Sequence, residues 1–259
     1  LIIDIYGKYI YVYNKEEVFQ EDIIDIIKRV FGFEEKNIFF KKRKVQTQQE
    51  LYQKLSEDSF IINIKENDLL FKINLSDYLN TGLFLDHRIT RNLIKEMSFK
   101  KRVLNLFSYT GSFSIYALSG DAYEVVNVDL NKNYLNWAEQ NHKLNALHGA
   151  KFINQDVFEF LDIAYRKKDK YDLIILDPPT FSRSKKMKKN VMDLKKDYID
   201  MVNYSLDILK KNGKLIFSCN YKKFKMDKRQ INGKIKDITL QTIDKDFLKS
   251  KPHYCYIID

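Results

Sequence analysis

The stretch Arg102-Val103-Leu104-Asn105-Leu106-Phe107-Ser108-Tyr109-Thr110-Gly111-Ser112-Phe113-Ser114-Ile115-Tyr116 decides the fold. It opens as an apolar run of strand length, bends at its one glycine and continues as a helix-forming stretch. A strand that leads straight into a helix calls for a crossover to a parallel neighbour. Working outward, the same rhythm recurs, and the sequence predicts strands over 102–107, 124–128, 151–153, 171–176 and 214–218. Helices are expected over 112–118, 132–144, 157–165 and 193–209. Residues 238–243 and 254–258 read as a last pair of strands, which makes seven. The expectation is an α/β domain over 81–259 with a doubly wound sheet, whose ligand lies beyond the carboxyl ends of its strands.

Residues 1–80 have a different grain. Residues 1–13 are β-branched and aromatic with Gly7-Lys8 as a turn, and 16–31 repeat apolar residues at helical spacing (Phe19, Ile23, Ile26, Ile27, Val30). That helix should stop at Gly32, a C-cap residue. Residues 38–43 read as a strand, and 60–64 with 69–73 as a hairpin across Glu66-Asn67-Asp68. Together they predict a small N-terminal α+β domain. The polar, basic run over 41–52 reads equally as a plain loop or as a nucleic-acid contact.

With 44% hydrophobic and 31% charged residues, the 259-residue chain has a globular rather than a disordered balance. No run approaches the roughly 18 uncharged apolar residues of a membrane span. The N-terminus carries acids and a helical period where a signal peptide needs an apolar core and a cleavage site. The expectation is a soluble, cytoplasmic protein with no membrane partner. It begins at Leu1 rather than methionine, as a piece of a longer chain would. Cys219 and Cys255 cannot build a disulfide framework, and without a Cys-x-x-Cys pair or His-Glu-x-x-His no metal site is expected. The net charge of +10 is unevenly spread, because residues 181–236 carry 17 bases against 5 acids. Arg183, Lys185, Lys186, Lys188, Lys189, Lys222, Lys223 and Lys225 stand in that block, which reads as a surface facing a polyanion.

The chemistry sits at predicted strand ends. A single glycine at Gly111 lets backbone approach a ligand, but it is not the three-glycine pyrophosphate fingerprint. A nucleoside without phosphates is therefore favoured over a dinucleotide. Asp129 ends the second strand, where a carboxylate can accept from both hydroxyls of a ribose. Gln155-Asp156 follows the third strand, placed to meet an adenine edge, although an acid there also reads as a plain helix cap. The fourth strand runs into Asp177-Pro178-Pro179-Thr180-Phe181, which uses two of the chain's three prolines. Adjacent prolines fix the backbone and remove two amide donors, and Phe181 offers an aromatic face to a planar substrate.

This order of motifs resembles the class I S-adenosylmethionine-dependent methyltransferases, with their Rossmann-like, seven-stranded sheet. More specifically, Tyr52-Gln53-Lys54-Leu55, the run from Asp77 to Arg88 (Asp77-Tyr78-Leu79-Asn80-Thr81-Gly82-Leu83-Phe84-Leu85-Asp86-His87-Arg88), Asn105 to Gly111, Tyr134-Leu135-Asn136-Trp137-Ala138-Glu139, Asp177 to Phe181, Phe224-Lys225-Met226-Asp227 and His253-Tyr254-Cys255-Tyr256 resemble the C-terminal half of the bifunctional bacterial 23S rRNA guanine methyltransferases. The resemblance spans essentially the whole chain. It implies formation of 7-methylguanine from S-adenosylmethionine, with 23S rRNA or a large-subunit precursor as partner and the domain over 1–80 on the RNA or substrate side. The family's other half, an RNA-binding module plus a guanine-N2 methyltransferase, is not in this sequence.

Carried over residue by residue, the resemblance places Phe107, Ser108, Tyr109 and Gly111 near the methionine moiety, Asp129 at the ribose and Asp156 at the adenine. Asn105, Thr110, Leu130, Val157 and Asp177 complete the expected cofactor site, with Asp86 and Arg88 near the cofactor or the incoming base. Asp177, Pro178, Pro179, Phe181 and Asn220 are expected to hold an extruded guanine. His87 is expected to make a structural hydrogen bond, Trp137 to pack its helix, and His142 and His148 to face solvent. Two readings compete. A 5-methylcytosine enzyme would use Cys219, at the end of the fifth strand, as nucleophile, although Thr180 and residues 224–227 match the guanine enzyme. A non-catalytic RNA-binding assembly factor would keep the fold without needing an intact nucleoside pocket.

Overall fold

The computed structural model describes residues 1–14, 20–42, 60–76 and 80–259. The start of the first expected helix, nearly all of the 41–52 run, Tyr52-Gln53-Lys54-Leu55 and Asp77, Tyr78 and Leu79 lie outside the described residues. The chain forms two compact units, Leu1–Leu85 and Asp86–Asp259.

In the first unit, β1 (Ile2–Tyr6) and β2 (Tyr9–Asn14) pair antiparallel, joined by a turn in which Gly7 takes a φ of +61°. Helix α1 (Gln20–Phe31) leads on to β3 (Ile38–Lys42), which lies parallel to β2. Ile10 and Val12 of β2 bury against Ile23 and Ile27 of α1, whereas Ile26 and Val30, also expected on the apolar face, are exposed. Strands β4 (Ile61–Glu66) and β5 (Leu69–Asn74) form a separate hairpin. Its two loop residues, Asn67 and Asp68, both have positive φ, as a tight two-residue hairpin loop requires.

The second unit opens with α2 (Arg88–Glu96) and then alternates β6 (Arg102–Leu106), α3 (Ser112–Ser119), β7 (Glu124–Asp129), α4 (Lys132–Leu144), β8 (Ala150–Asn154), α5 (Val157–Arg166) and β9 (Tyr171–Leu176). A small hairpin follows, β10 (Phe181–Arg183) with β11 (Val191–Asp193), in the basic block where the sequence had shown only charge. Helix α6 (Leu194–Asp207), β12 (Leu209–Cys219), β13 (Ile235–Asp237), α7 (Thr239–Thr242) and β14 (Tyr254–Ile258) complete it. The seven-stranded sheet runs β13-β14-β12-β9-β6-β7-β8. Strands β8, β7, β6, β9 and β12 are mutually parallel, and β14 is antiparallel to both of its neighbours. The fold is thus the α/β, doubly wound, Rossmann-like sheet anticipated from the sequence.

The central strands are apolar on both faces because both faces are covered. Leu104, Leu106, Ile174, Leu176, Leu215 and Phe217 pack with α5 and α6. Val103, Leu173, Ile175 and Ile216, one residue out of step, pack on the opposite face with α2 and α3. The sheet closes differently from expectation. Residues 238–243 are not a strand: Ile238 and Thr242 are buried while Leu240, which would share their face in a strand, is 70% exposed. Asp237 accepts from Thr239 N at 2.9 Å and starts a helical turn there, so the edge strand is the shorter Ile235–Asp237.

Candidate active site

The order of the chain reverses between β6 and β9, which are neighbours in the sheet, and the crevice beyond their carboxyl ends is where a doubly wound fold binds its ligand. After β6 the backbone turns through Phe107, Tyr109 and Gly111, all at positive φ (+56°, +50° and +76°). Left-handed backbone costs the two aromatic residues about 1–2 kcal/mol each, and such conformers persist where surrounding bonds hold them, commonly at ligand sites. The bonds here are Ser108 N to Val128 O at 3.1 Å, Gly111 N to Ser108 O at 2.8 Å and Tyr109 N to Asp129 Oδ2 at 2.9 Å. A Cβ on residue 111 would stand 3.0 Å from both Ala138 Cβ and His142 Cε1, so α4 sits directly on the loop.

Behind the loop, Asn105 Nδ2 donates to Ser114 Oγ at 2.8 Å, and that hydroxyl donates to Asn127 Oδ1 at 2.6 Å. Asn105 is therefore fully buried beneath α3, and it braces the loop from below. Thr110 is buried too, and its carbonyl accepts from Asn141 Nδ2 at 3.0 Å. Phe107 and Leu130 are half-buried against the main core, and Val157 is inside it. Tyr134 and Trp137 on α4 bring their rings to Tyr109, at 4.5 and 6.4 Å between centroids.

Asp129 takes one backbone amide on each oxygen, Asn131 N on Oδ1 at 2.8 Å and Tyr109 N on Oδ2 at 2.9 Å. A carboxylate has about four acceptor positions, so two remain for hydroxyl donors. Burial pushes its pKa up to about 6, against the lowering by those amides. Asp156 is buried and caps α5, accepting from Glu159 N at 3.1 Å, and burial raises its pKa as well.

At the end of β9, Asp177 Oδ1 accepts from Ser218 Oγ at 2.6 Å. Pro178 and Pro179 follow, then Thr180, whose hydroxyl donates to Asn220 Oδ1 at 2.6 Å and so ties the β9 turn to the end of β12. Phe181 is 39% exposed. Beneath Asp177 lies a buried polar cluster of which the sequence indicated only part. His253 Nδ1 donates to Asp86 Oδ2 at 2.9 Å, and burial, which alone would raise the Asp86 carboxyl, is overcome by His87, His253 and Arg91, which hold it at about 2. The His87 and His253 rings stack at 4.1 Å with planes 16° apart. Asp86, His87 and His253 bring donor atoms within 4.8 Å of one another. A common metal ion would have to lie in both imidazole planes, and stacked, nearly parallel rings have no such point. Arg88 does not turn to the loop: it pairs with Asp246 at 2.6 Å and Asp244 at 3.5 Å.

Of three further residues, only His142 falls differently from expectation. His142 is buried rather than solvent-facing, because it packs over Gly111 and Phe152 and its Nδ1 pairs with Ala138 O at 2.7 Å. His148 is exposed. Cys219 is fully buried and burial pushes its thiol up to about 12, so almost no thiolate exists near neutral pH.

Of the basic residues, Arg183, Lys185 and Lys186 stand exposed on the β10–β11 hairpin, which buried Met187 and Met192 anchor. Lys188 lies 4.0 Å from Asp162, and Lys189 is engaged by Asp197 at 3.3 Å and by the Phe158 ring. Lys222, Lys223 and Lys225 are exposed on the turn after β12, where buried Phe224 packs among Tyr198, Phe217 and Tyr254 and pins the turn.

The sheet order, the one-glycine bend after its first parallel strand and the acid ending the next define a nucleoside-binding enzyme of the class I methyltransferase type. The loop passes a direct test of fit: Ser108 Oγ is buried with no hydrogen-bond partner among the described residues, beside the glycine cradle and the two open acceptor positions of Asp129. The chain belongs to the S-adenosylmethionine-dependent methyltransferase family, whose pattern it matches over residues 43–228. It is similar to SMU.776, solved in complex with SAH, with 30% identity and a TM-score of 0.82 over 99% of this chain and 70% of that one. It is 39% identical to "Ribosomal RNA large subunit methyltransferase K" of Neisseria meningitidis, over 93% of this chain and 69% of that protein. It is 41% identical to "Ribosomal RNA large subunit methyltransferase K/L" of Alteromonas mediterranea, over 92% of this chain and 34% of that protein. The chain thus spans about a third of the K/L relative.

The sequence reading gave Ser218, His253 and Tyr134 no role in the site, although Tyr134 and His253 stand in motifs that carry the resemblance. Ser218 stands two residues before Asn220 on the same strand end, a signal that could have been followed. His253 lies too far from Asp86 in the chain for any local pattern to join them.

Proposed function

We propose that this chain methylates the 7-position nitrogen of a guanine in 23S rRNA, on the naked RNA or an assembling subunit, in the cytoplasm. The observation that carries the reading is the position of Asp177-Pro178-Pro179-Thr180-Phe181: it ends the strand next to the glycine loop and leads directly into the hairpin bearing Arg183, Lys185 and Lys186. The names of the Neisseria and Alteromonas relatives support an rRNA substrate. The resemblance of residues 77–88, 177–181 and 224–227 to the guanine-N7 enzymes supports the position on the base.

S-adenosylmethionine supplies an electrophilic methyl group when bound, and Ser108, Tyr109, Gly111, Asp129 and Asp156 would hold it. The rest of the chemistry belongs to the chain. Guanine's 7-nitrogen carries a lone pair and no proton, so no general base is needed and the task is alignment. Good orientation supplies up to about 7–11 kcal/mol of barrier reduction. Asp177, fixed by Ser218, and Asn220, fixed by Thr180, would grip the base from two adjacent strand ends while Phe181 stacks on it. Guanine becomes cationic as it is methylated, and a carboxylate at that end of the pocket favours the charge. Lysines of the hairpin and of the Lys222–Lys225 turn would hold the flanking phosphates.

The 5-methylcytosine reading needs a thiolate, and Cys219 is buried with its thiol raised to about 12. The test is incubation of 23S RNA with the chain and labelled S-adenosylmethionine, followed by nucleoside mass spectrometry. Labelled 7-methylguanosine is expected, abolished by Asp177→Ala; labelled 5-methylcytidine, or an Asp177→Ala variant with full turnover, overturns the reading.

A further inference from the structure

The Asp177 carboxylate is held on one side and approached on the other. Ser218 holds Oδ1, while Oδ2 faces His87 Nε2 at 3.9 Å. We propose that His87 is a positioning residue that keeps the Asp177 carboxylate aimed at the base, with the His253–Asp86 pair as its backing. This rests on the reading of Asp177 as a base-gripping residue.

His87 is buried and its ring cannot rotate freely. Phe113 meets it edge-on at 5.4 Å, His253 stacks on its face at 4.1 Å and Thr90 Oγ1 lies 3.3 Å from Nδ1. Nε2 faces two carboxylates, which favours the proton there, with the Thr90 hydroxyl donating to Nδ1. Nε2 stands 3.8 Å from Asp86 Oδ2 and 3.9 Å from Asp177 Oδ2. Asp86 Oδ2 already accepts one bond, from His253 Nδ1 at 2.9 Å, whereas Asp177 accepts from Ser218 on Oδ1 and turns Oδ2 to Nε2. The His87 proton thus serves both carboxylates, and its pull on Oδ2 fixes the direction of the Asp177 side chain. At 3.9 Å the contact is electrostatic, and a movement of about 1 Å makes it a hydrogen bond, as pocket contacts commonly tighten when substrate loads.

The order of elements explains why this device sits here. His87 is the residue before α2, His253 directly precedes β14, and β14 pairs with β12, the strand whose Ser218 holds the other oxygen of Asp177. Ser218 and Cys255 are register partners, so His253 is two residues from the point where the strands clasp. Without a donor at position 87, the Asp86 and Asp177 carboxylates would lose the N–H that stands within 4 Å of both.

The experiment uses the full chain with 23S RNA and compares His87→Leu, His87→Gln and Asp177→Asn by kcat, KM, SAH affinity from calorimetry and melting temperature. Leu removes the donor, whereas the Gln amide puts an N–H near the place of Nε2. The expected result for Leu is a fall in kcat of about tenfold or more, the scale of a lost hydrogen bond to a charged group, with SAH affinity within about twofold of wild type. Gln should restore most of the rate. A Leu variant with full kcat, or a Gln variant no better than a folded Leu variant, overturns the proposal. If Asp177→Asn keeps full turnover, the reading of Asp177 fails and this inference falls with it; if it loses turnover while His87→Leu does not, only the inference fails. Should the Leu variant not fold, Thr90→Val releases the ring at Nδ1 and should lower kcat severalfold without changing SAH affinity; an unchanged kcat there overturns the proposal.

Discussion

Replacing Asp129 with asparagine separates what this carboxylate does for the loop from what it does for the cofactor. Each oxygen accepts one backbone amide, from Asn131 at 2.8 Å and from Tyr109 at 2.9 Å. Asparagine has one oxygen, so its NH2 must oppose one of those N–H groups, leaving a buried donor unmade at a cost of about 1–3 kcal/mol in stability. The second loss is the charge-assisted bond to a ribose hydroxyl, about 1.5–3 kcal/mol, which is roughly 10- to 150-fold in affinity. Calorimetric titration with SAH reads the affinity and thermal melting reads the stability. The wild type carries a further signature, because burial raises the Asp129 carboxyl to about 6. Hydroxyl donors favour its ionised form, so SAH affinity should be level well above that pH and fall as pH drops through it, approaching about tenfold per unit. The sign for the unliganded fold is opposite. A carboxyl raised above its usual 3.8 costs stability once ionised, so stability declines as pH rises from about 4 through 6. Asp129→Asn abolishes both dependences. Affinity of the variant within about threefold of wild type, or wild-type affinity unchanged between about pH 7.5 and 5, refutes the assignment.

Gly111→Ala meets a φ of +76° and two atoms 3.0 Å from the new Cβ, so it should lower SAH affinity by about tenfold or more, from left-handed strain of about 1–2 kcal/mol alone; binding at wild-type strength counts against the cradle. Cys219→Ala should keep full methylation while destabilising the chain by about 1 kcal/mol, the scale of one lost small apolar group in a core; loss of turnover in a folded variant revives the thiolate chemistry. Lys185→Ala with Lys186→Ala should reduce the salt slope of RNA binding by up to about 1.8 on duplex or 1.4 on single strands, from two phosphate contacts. Lys189→Ala, whose partner is Asp197 at 3.3 Å, should leave that slope nearly unchanged, as filter binding across a salt series would read.

The parallel strands were legible because burial on both faces removes alternation: Val103-Leu104 and Ile174-Ile175 are continuous apolar runs that only a covered sheet tolerates. The β4–β5 hairpin was legible from two turn-forming residues that sustain positive φ. Residues 238–243 misled because Ile238, Leu240, Thr242 and Ile243 contain both periods, and the arbiter, Asp237 accepting from Thr239 N, is a side-chain bond that apolar patterning ignores. His142 misled through polarity, since a histidine on an otherwise polar helix stretch reads as solvent-facing. In the fold Asn141 is committed to the Thr110 carbonyl and His142 covers Gly111, so a polar pair is buried exactly because the loop beneath it is backbone-rich.

The site divides along the same line. Loop, acids and prolines follow their strands within a few residues, so their placement at the strand ends comes with the strand pattern itself. The cluster behind Asp177 does not, because Asp86 and His87, Ser218, and His253 come from three separate places in the chain and meet only when β14 inserts antiparallel between β12 and β13. The apolar pattern placed the inserted strand itself but misplaced its edge partner, which is Ile235–Asp237. An antiparallel strand at that place presents its amino end to the same edge as the carboxyl end of β12, so residues just before β14 and residues closing β12 become neighbours. The reversed strand therefore does more than extend the sheet: it delivers His253 to the side of the pocket that no parallel βα unit could reach from its own loop.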